Sequence, residues 1–464
     1  MSIFREYDIR GVVGTELTPQ MAESLGRAYA TMGRNHRVRT VTVGRDGRLT
    51  SPSLRDALVA GLTAGGLDVL DIGVCTTPLL YFSLYHRPVE GGIMVTGSHN
   101  AAEYNGFKLC LGKEALHGSA IQELRTIMER GDFTDGHGRV KDSPILDEYL
   151  AYLRQQFASL DASGLHVVID CGNGAASLVA KPALEQLGCN VTGLYCELDG
   201  RFPHHHPDPT VVENLQDLIR AVKETRADVG IGYDGDADRI GAIDEHGDIL
   251  WGDRLLMIFA RDVLEARPGS TCISEVKASQ FLYDDIEKRG GRGIMWKTGH
   301  SVIKAKMKEE GAVLAGEMSG HMFFADRYYG YDDAVYASCR LIEIMVKTGK
   351  PLSALLSDIP RTVVTPEIRL DCPDDQKFVL VEAVKNRLDS LAAHGQPPDP
   401  DLAIRKLVTI DGVRVQFPEG WGLIRASNTQ PALVLRFEAA TPEALQKIRH
   451  FLESELQACR HTPS

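Results

Sequence analysis

The polar run DGDADR places Asp234, Asp236 and Asp238 two residues apart. That spacing can turn three hard oxygen ligands toward one small divalent cation if the loop wraps around it, and Arg239 adds a fixed positive charge beside them. Three adjacent carboxylates repel one another without a counter-ion. A purely structural role would need three separate solvated exits directly after the apolar run ADVGIGY, so metal binding is the favoured reading. Asp234, Asp236, Asp238 and Glu245 also fall at positions 1, 3, 5 and 12 of the calcium-loop pattern. Arg239 stands where that pattern requires glycine, and the flanks ADVGIGY and IGAIDEHGDIL read as strands where it requires helices. A calcium hand fails on both counts.

A second loop, GGIMVTGSHN, is followed closely by YNGFK and sets Ser98 just beyond an apolar run, between Gly97 and His99. A small exposed hydroxyl there can carry a phosphoryl group. A serine after a strand also commonly caps a turn or helix, and these residues alone leave both readings open. GEMSGH puts Glu317, Ser319 and His321 on alternate positions, a spacing that lets an acceptor, a hydroxyl and an imidazole face one ligand. RASNTQP joins the Arg425 guanidinium to Ser427, Asn428 and Thr429, whose hydroxyls and backbone N–H groups could cradle a phosphate or simply form a turn. The histidines at 204 to 206 lie in RFPHHHPDP with no spaced Cys or His to complete a zinc site, and read as loop.

The elements that must hold these loops are legible as alternation. Apolar runs at 41 to 44, 67 to 74, 91 to 97, 166 to 170, 190 to 196 and 227 to 233 alternate with amphipathic stretches, which predicts βαβ units with buried strands. The pattern continues through TCISEV, GIMWKTG and AVLAGEMSG, with helical periodicity in ILDEYLAYLRQQF and DDAVYASCRLIEIMVKTG. After Pro360 the rhythm changes to one helical stretch, four closely spaced strand runs and a helix from Pro442, as in a smaller α+β domain. The expected fold class is α/β: three α/β domains with mixed sheets around a central cleft, plus a smaller C-terminal α+β domain. Polar or Pro/Gly-containing interruptions set the domains at 1–144 (serine loop), 145–247 (metal loop), 248–360 (GEMSGH) and 361–464 (RASNT).

Composition narrows the partners. The 464 residues carry a formal net charge of -12 without any Lys/Arg block, which argues against nucleic acid or anionic lipid. Nine scattered cysteines without a C-x-x-C spacing fit reduced thiols, and the charged start MSIFREYDIRG lacks the apolar region of a signal peptide. No apolar run approaches a membrane span, so a cytoplasmic protein without membrane contact is expected.

Taken together in this order, TGSHN, DGDADR, GEMSGH and RASNT resemble the α-D-phosphohexomutase family over nearly the whole chain. REYDIRG, GRD, YNGFK, FPHHHPDP and WKTGHS point to its bacterial phosphomannomutase/phosphoglucomutase branch. The resemblance implies transfer of phosphate between the 1- and 6-positions of mannose or glucose phosphate, through a phosphorylated Ser98 and a hexose 1,6-bisphosphate. It implies Mg2+ held by Asp234, Asp236, Asp238 and a Ser98 phosphate oxygen, with glucose 1,6-bisphosphate as activator and intermediate. Glu317 and Ser319 would contact sugar hydroxyls, and Arg425, Ser427, Asn428 and Thr429 would grip the non-reacting phosphate. Tyr7, Arg10, Lys108, Arg239, Lys277, His300 and His321 match cleft residues, with Lys108 and His321 as acid and base candidates.

Two departures are Ala101, where the family commonly has proline after SHN, and Ala237, where many members have glycine. The alanine implies a negative φ at 237. Within the family the alternative is a phosphoglucosamine mutase, which GEMSGH with Met318 fits less well; outside it, D-x-D after a strand also suits an aspartyl-phosphate phosphatase. Small-molecule sugar phosphates are the expected partners of a monomer, with a dimer left open.

Overall fold

A computed structural model describes residues 3–395, 397, 399–428 and 430–460. The chain forms two compact units. The first runs to Ile273 and adds Asp285–Arg292 and Gly299–Leu356; the second takes Ser274–Asp284, Gly293–Thr298 and the chain from Ser357 onward. None of the described helices is long and apolar enough to cross a membrane.

In the first unit the run GGIMV forms the strand Gly91–Val95, buried at every residue. Such a run must be covered on both faces, which places it inside a sheet. The spatial order is Ile9–Val12, Tyr104–Leu111, Gly91–Val95, Thr40–Arg45, Asp68–Val74, Val140–Asp142. The pairings from Gly91–Val95 through Thr40–Arg45 and Asp68–Val74 to Val140–Asp142 are parallel, whereas Tyr104–Leu111 pairs antiparallel with both its neighbours. The sheet is therefore mixed. Helices Pro19–Asn35, Ser51–Ala64 and Ser119–Arg130 contribute Leu25, Leu58 and Leu124 to the core against Val41, Val43, Ile93 and Phe107.

A second mixed sheet has the order Ile249–Leu250, Ile240–Asp244, Val229–Tyr233, His166–Asp170, Asn190–Leu194. Val229–Tyr233 is parallel to His166–Asp170 and antiparallel to Ile240–Asp244, so the chain reverses between 233 and 240. That reversal is the DGDADR loop. A short hairpin, Leu314–Gly316 with Met322–Phe324, encloses the turn of GEMSGH. Its Gly320 carbonyl accepts from Ile240 N at 3.1 Å, and Arg239 bridges His321, so the aspartate loop and the histidine loop are stitched together by backbone.

In the second unit, Gly420–Ala426 lies between Ala432–Ala439 and Val413–Phe417 in an all-antiparallel sheet. Helices Asp374–His394 and Pro442–Arg460 cover one face, with Val384, Leu388, Ile448 and Leu452 packed on Val415, Leu433 and Leu435. One strand of that sheet, Ile368–Asp371, and Tyr104–Leu111 in the first unit lie where the alternation marked none; both are antiparallel members, each with a partner distant in sequence, Ala432–Leu435 and Ile9–Val12.

Candidate active site

Ser98 follows the buried strand Gly91–Val95 in a tight turn and takes φ +48, a conformation that costs a non-glycine residue about 1–2 kcal/mol and persists only where its surroundings fix it. Arg48 is what fixes it. Its buried guanidinium donates to four carbonyls of this loop, those of Ser98 (2.7 Å), Asn100 (2.6 Å), Ala101 (2.6 Å) and Tyr104 (2.9 Å), and pairs with Asp46 at 3.2 Å. Ala101, a departure from the family pattern expected above, is thus held through its carbonyl by the Arg48 fork. The Ser98 hydroxyl donates to Asp234 Oδ2 at 3.0 Å and lies 3.1 Å from His99 Nδ1. Burial, reinforced by Arg239 and Arg10, holds the His99 imidazole well below its ordinary pKa.

Asp234, Asp236 and Asp238 are fully buried, with one oxygen from each within 4.8 Å of the others. Gly235 between the first two has no room for a side chain: a Cβ there would sit 2.3 Å from the Ser98 carbonyl oxygen. The φ at Ala237 is +59, opposite in sign to the expectation from its alanine. The turn returns the chain antiparallel within a few residues, and its geometry overrides the preference of the residue.

The triad has few counter-charges. Lys108 Nζ, from the strand Tyr104–Leu111, donates to Asp236 Oδ2 at 2.7 Å and to Asp238 Oδ2, and Thr77 Oγ1 donates to Asp236 Oδ2 at 2.5 Å. Burial works against the charge on Lys108, but the three carboxylates outweigh it and raise its pKa. Burial likewise opposes ionisation of Asp236, and Lys108 overcomes it, so that carboxyl falls below its usual range. Asp234 is raised by burial and by Asp238 and Asp236. Asp236 Oδ1 and Asp238 Oδ1 remain buried without a hydrogen-bond partner. Two open acceptor atoms and three carboxylates against one ammonium and the Arg239 guanidinium, 3.9 Å from Asp234, make a donor set still short of positive charge, and a hard divalent cation fits it.

Beside this loop stands His321. Its Nε2 accepts from Arg239 Nε at 3.0 Å, and because a guanidinium only donates, a ring proton sits on Nδ1. Nδ1 faces Asp332 Oδ2 at 2.9 Å, outside hydrogen-bond alignment, and Asp238 Oδ1 at 3.5 Å. His300 stacks on His321 at 5.3 Å between centroids and is lowered well below its ordinary pKa by burial first and by Lys304 next. Glu317 Oε1 accepts from Gly299 N at 2.7 Å, and the Tyr7 ring packs where a Gly299 side chain would lie. Arg10 donates to Asn100 Oδ1 and pairs with Asp8, both at 2.5 Å, and Ser319 is half-buried in the turn of the short hairpin.

The family's alpha/beta/alpha domains I, II and III, described as phosphoglucomutase/phosphomannomutase, match residues 1–135, 147–247 and 251–363, and its C-terminal domain matches 367–454. A Pseudomonas putida protein named phosphomannomutase/phosphoglucomutase is 47% identical, the match covering 98% of this chain and 95% of that protein. This chain belongs to the phosphoglucomutase/phosphomannomutase family. A Neisseria gonorrhoeae phosphoglucomutase is 43% identical over 99% of this chain and 97% of its own length. A crystal structure of a family protein from Burkholderia thailandensis has a TM-score of 0.91 at 41% identity, covering 100% of this chain and 98% of that one.

In phosphoglucomutase/phosphomannomutase terms, the first unit gathers every site residue expected from domains I and II and, from domain III, His300, Glu317, Ser319 and His321. The second unit holds the others. There Lys277 Nζ pairs with Glu367 at 3.1 Å and Glu275 at 3.4 Å. Arg425 Nε donates to Asp411 Oδ2 at 3.0 Å, and Ser427 Oγ accepts from Gln430 N at 3.1 Å. Asn428 follows in the same loop, and Thr429 lies outside the described residues.

Arg48, Thr77, His99 and Asp332 were not singled out from the sequence, although the structure sets each against the serine or aspartate loop. Only His99, next to the serine, carried a local signal. Arg48 reaches its four carbonyls across about fifty residues of chain.

Proposed function

We propose that this chain interconverts the 1- and 6-phosphates of mannose and glucose by way of a phosphate carried on Ser98, with glucose 1,6-bisphosphate as activator and intermediate. One observation carries the reading: a strained, buried serine hydroxyl aimed at a triad of aspartates that retains two unpartnered oxygens. The names of the Pseudomonas and Neisseria relatives support the sugar class.

In this reading Asp234, Asp236 and Asp238, with the phosphorylated Ser98, would hold Mg2+. A divalent cation bound there would supply charge neutralisation at the transferred phosphoryl group. The P–O bond to Ser98 breaks as the sugar hydroxyl forms its own bond to the same phosphorus. The hydroxyl proton passes to His321 Nε2 once Arg239 turns from that atom to the phosphate. Lys108, whose ammonium is stabilised by the carboxylates around it, gives a proton to the departing serine oxygen. Arg10 and His300 add polar contacts to the transferred group, and Tyr7, Glu317 and Ser319 position the sugar; Lys277, Arg425, Ser427, Asn428 and Thr429 match the residues that the family resemblance assigns to the non-reacting phosphate. The domains are drawn at 1–144, 145–247, 248–360 and 361–464. Nine free cysteines fit a reducing cytoplasm, and a monomer suffices for the chemistry.

The test is a coupled assay of glucose 1-phosphate, mannose 1-phosphate and glucosamine 1-phosphate, with intact-mass detection of phosphate on the protein. Ser98→Ala should lose the phosphate and about 10³-fold or more of the turnover, as removal of a covalent nucleophile does. Preferred turnover of glucosamine 1-phosphate would move the chain to the other branch of the family, and full activity in Ser98→Ala would refute the carrier.

A further inference from the structure

Cys171 and Cys196 lie just past the ends of the parallel strands His166–Asp170 and Asn190–Leu194, and neither has been given a role above. Their sulfurs are 3.3 Å apart, in hydrogen-bond contact. We propose that they form a peroxide-sensitive dithiol whose oxidation to a disulfide disturbs the aspartate loop.

The two thiols are unequal. Cys171 is fully buried, whereas Cys196 is partly exposed and the better placed to meet a small oxidant. The pKa of Cys196 is lowered by its contact with the Cys171 sulfur, and Lys181 adds a weaker attraction. The other shifted thiols, Cys75, Cys110, Cys171, Cys189, Cys272, Cys339 and Cys459, are all raised, chiefly by burial except at Cys171, where the contact with Cys196 leads. The thiolate is the nucleophile toward peroxide, so oxidation starts at Cys196.

The step balances in two parts. The Cys196 thiolate attacks hydrogen peroxide, the O–O bond breaks, hydroxide leaves and Cys196 becomes a sulfenic acid. Cys171 then attacks that sulfur, the S–O bond breaks, and water leaves with the Cys171 proton. Two electrons pass from the thiol pair to the peroxide. A disulfide needs its sulfurs near 2.05 Å, so the pair must close by roughly 1.3 Å.

That movement has a direct route to the aspartates. Gly174 N donates to the Cys171 carbonyl at 2.7 Å, and Ala175 N donates to the Gly235 carbonyl at 2.9 Å. A Cβ on Gly174 would lie 2.8 Å from that same Gly235 oxygen, so the two backbones touch. Gly235 sits between Asp234 and Asp236, and a pull on Cys171 is transmitted to both.

The experiment treats the full-length protein with hydrogen peroxide, maps cross-links by peptide mass spectrometry, and measures Mn2+ binding by electron paramagnetic resonance. The expected result is a Cys171–Cys196 cross-link, Mn2+ affinity weaker by about tenfold or more as when supporting contacts of a metal site are lost, and recovery with dithiothreitol. Cys196→Ser should show neither change. Cys171→Ala should accumulate a sulfenic acid at Cys196 that dimedone traps. Absence of the 171–196 cross-link in wild type overturns the dithiol, and a cross-link with unchanged Mn2+ affinity overturns its connection to the aspartates. Neither outcome depends on turnover.

Discussion

Two sets of buried carboxylates in the first unit solve the same problem in opposite ways. Asp333 caps the helix Ala334–Thr348 and is satisfied throughout: Tyr336 N donates to Oδ1 at 2.9 Å, Tyr328 to Oδ2 at 2.9 Å, and the Tyr149 hydroxyl lies within 3.0 Å of both oxygens. All its partners are neutral. Burial pushes its pKa up to about 6 although those donors work in the other direction. Asp236 and Asp238 sit equally deep but keep one oxygen each without a partner and lean on the Lys108 ammonium. A structural acid closes its lone pairs with fixed dipoles, whereas an acid kept for a ligand leaves them open and tolerates the electrostatic cost.

The largest effect should come from opening the ligand-type site further. Asp236→Asn removes a charged candidate ligand and half of the Lys108 clamp, so kcat should fall by about 10³-fold, several kcal/mol of transition-state stabilisation. Its Mg2+ requirement should rise while the circular dichroism spectrum stays that of wild type. An unchanged Mg2+ dependence would place Asp236 with Asp333 among the structural acids.

Asp333→Asn should instead leave kcat within about twofold and alter stability against pH. The folded pKa of Asp333 lies above its ordinary 3.8, so its contribution is fully present below about pH 4 and is lost as pH rises through about 6. A shift of about two units amounts to about 3 kcal/mol. Urea denaturation at pH 4.5 and pH 7 should show wild type losing stability relative to Asp333→Asn across that interval. Parallel behaviour of the two proteins would mean that the tyrosine donors neutralise the burial cost completely.

The smallest effect sharpens the comparison at its backbone. Ala237 holds φ +59 in the ligand-type loop, where glycine carries no steric penalty. Ala237→Gly should stabilise the protein by about 0.5–1 kcal/mol, the relief of left-handed strain less the added freedom of the unfolded chain. Thermal denaturation at fixed pH decides it, and a fall in stability would mean that the Ala237 methyl contributes packing worth more than the strain.

Much of this protein was written locally. Strand runs such as GGIMV and HVVID carry their burial in their own composition, and DGDADR between two of them announced a turn loaded with ligand-type oxygens. Local chemistry also marked the candidate loops, since serine, aspartate and histidine clusters after apolar runs differ from ordinary turns in residue type alone. What the sequence could not hold was the distance between them. The 3.0 Å from Ser98 to Asp234 spans 136 residues, and the Lys108 contact with Asp236 spans 128. Those separations are closed by sheet order and by the Arg239–His321 bridge, neither of which leaves a periodic trace in the chain. Tertiary structure also decided the sign of φ at Ala237 and the role of Arg48. A turn forced by antiparallel pairing outweighs a preference of about 1–2 kcal/mol, and a long cation buried against four carbonyls looks, in sequence, like any surface arginine.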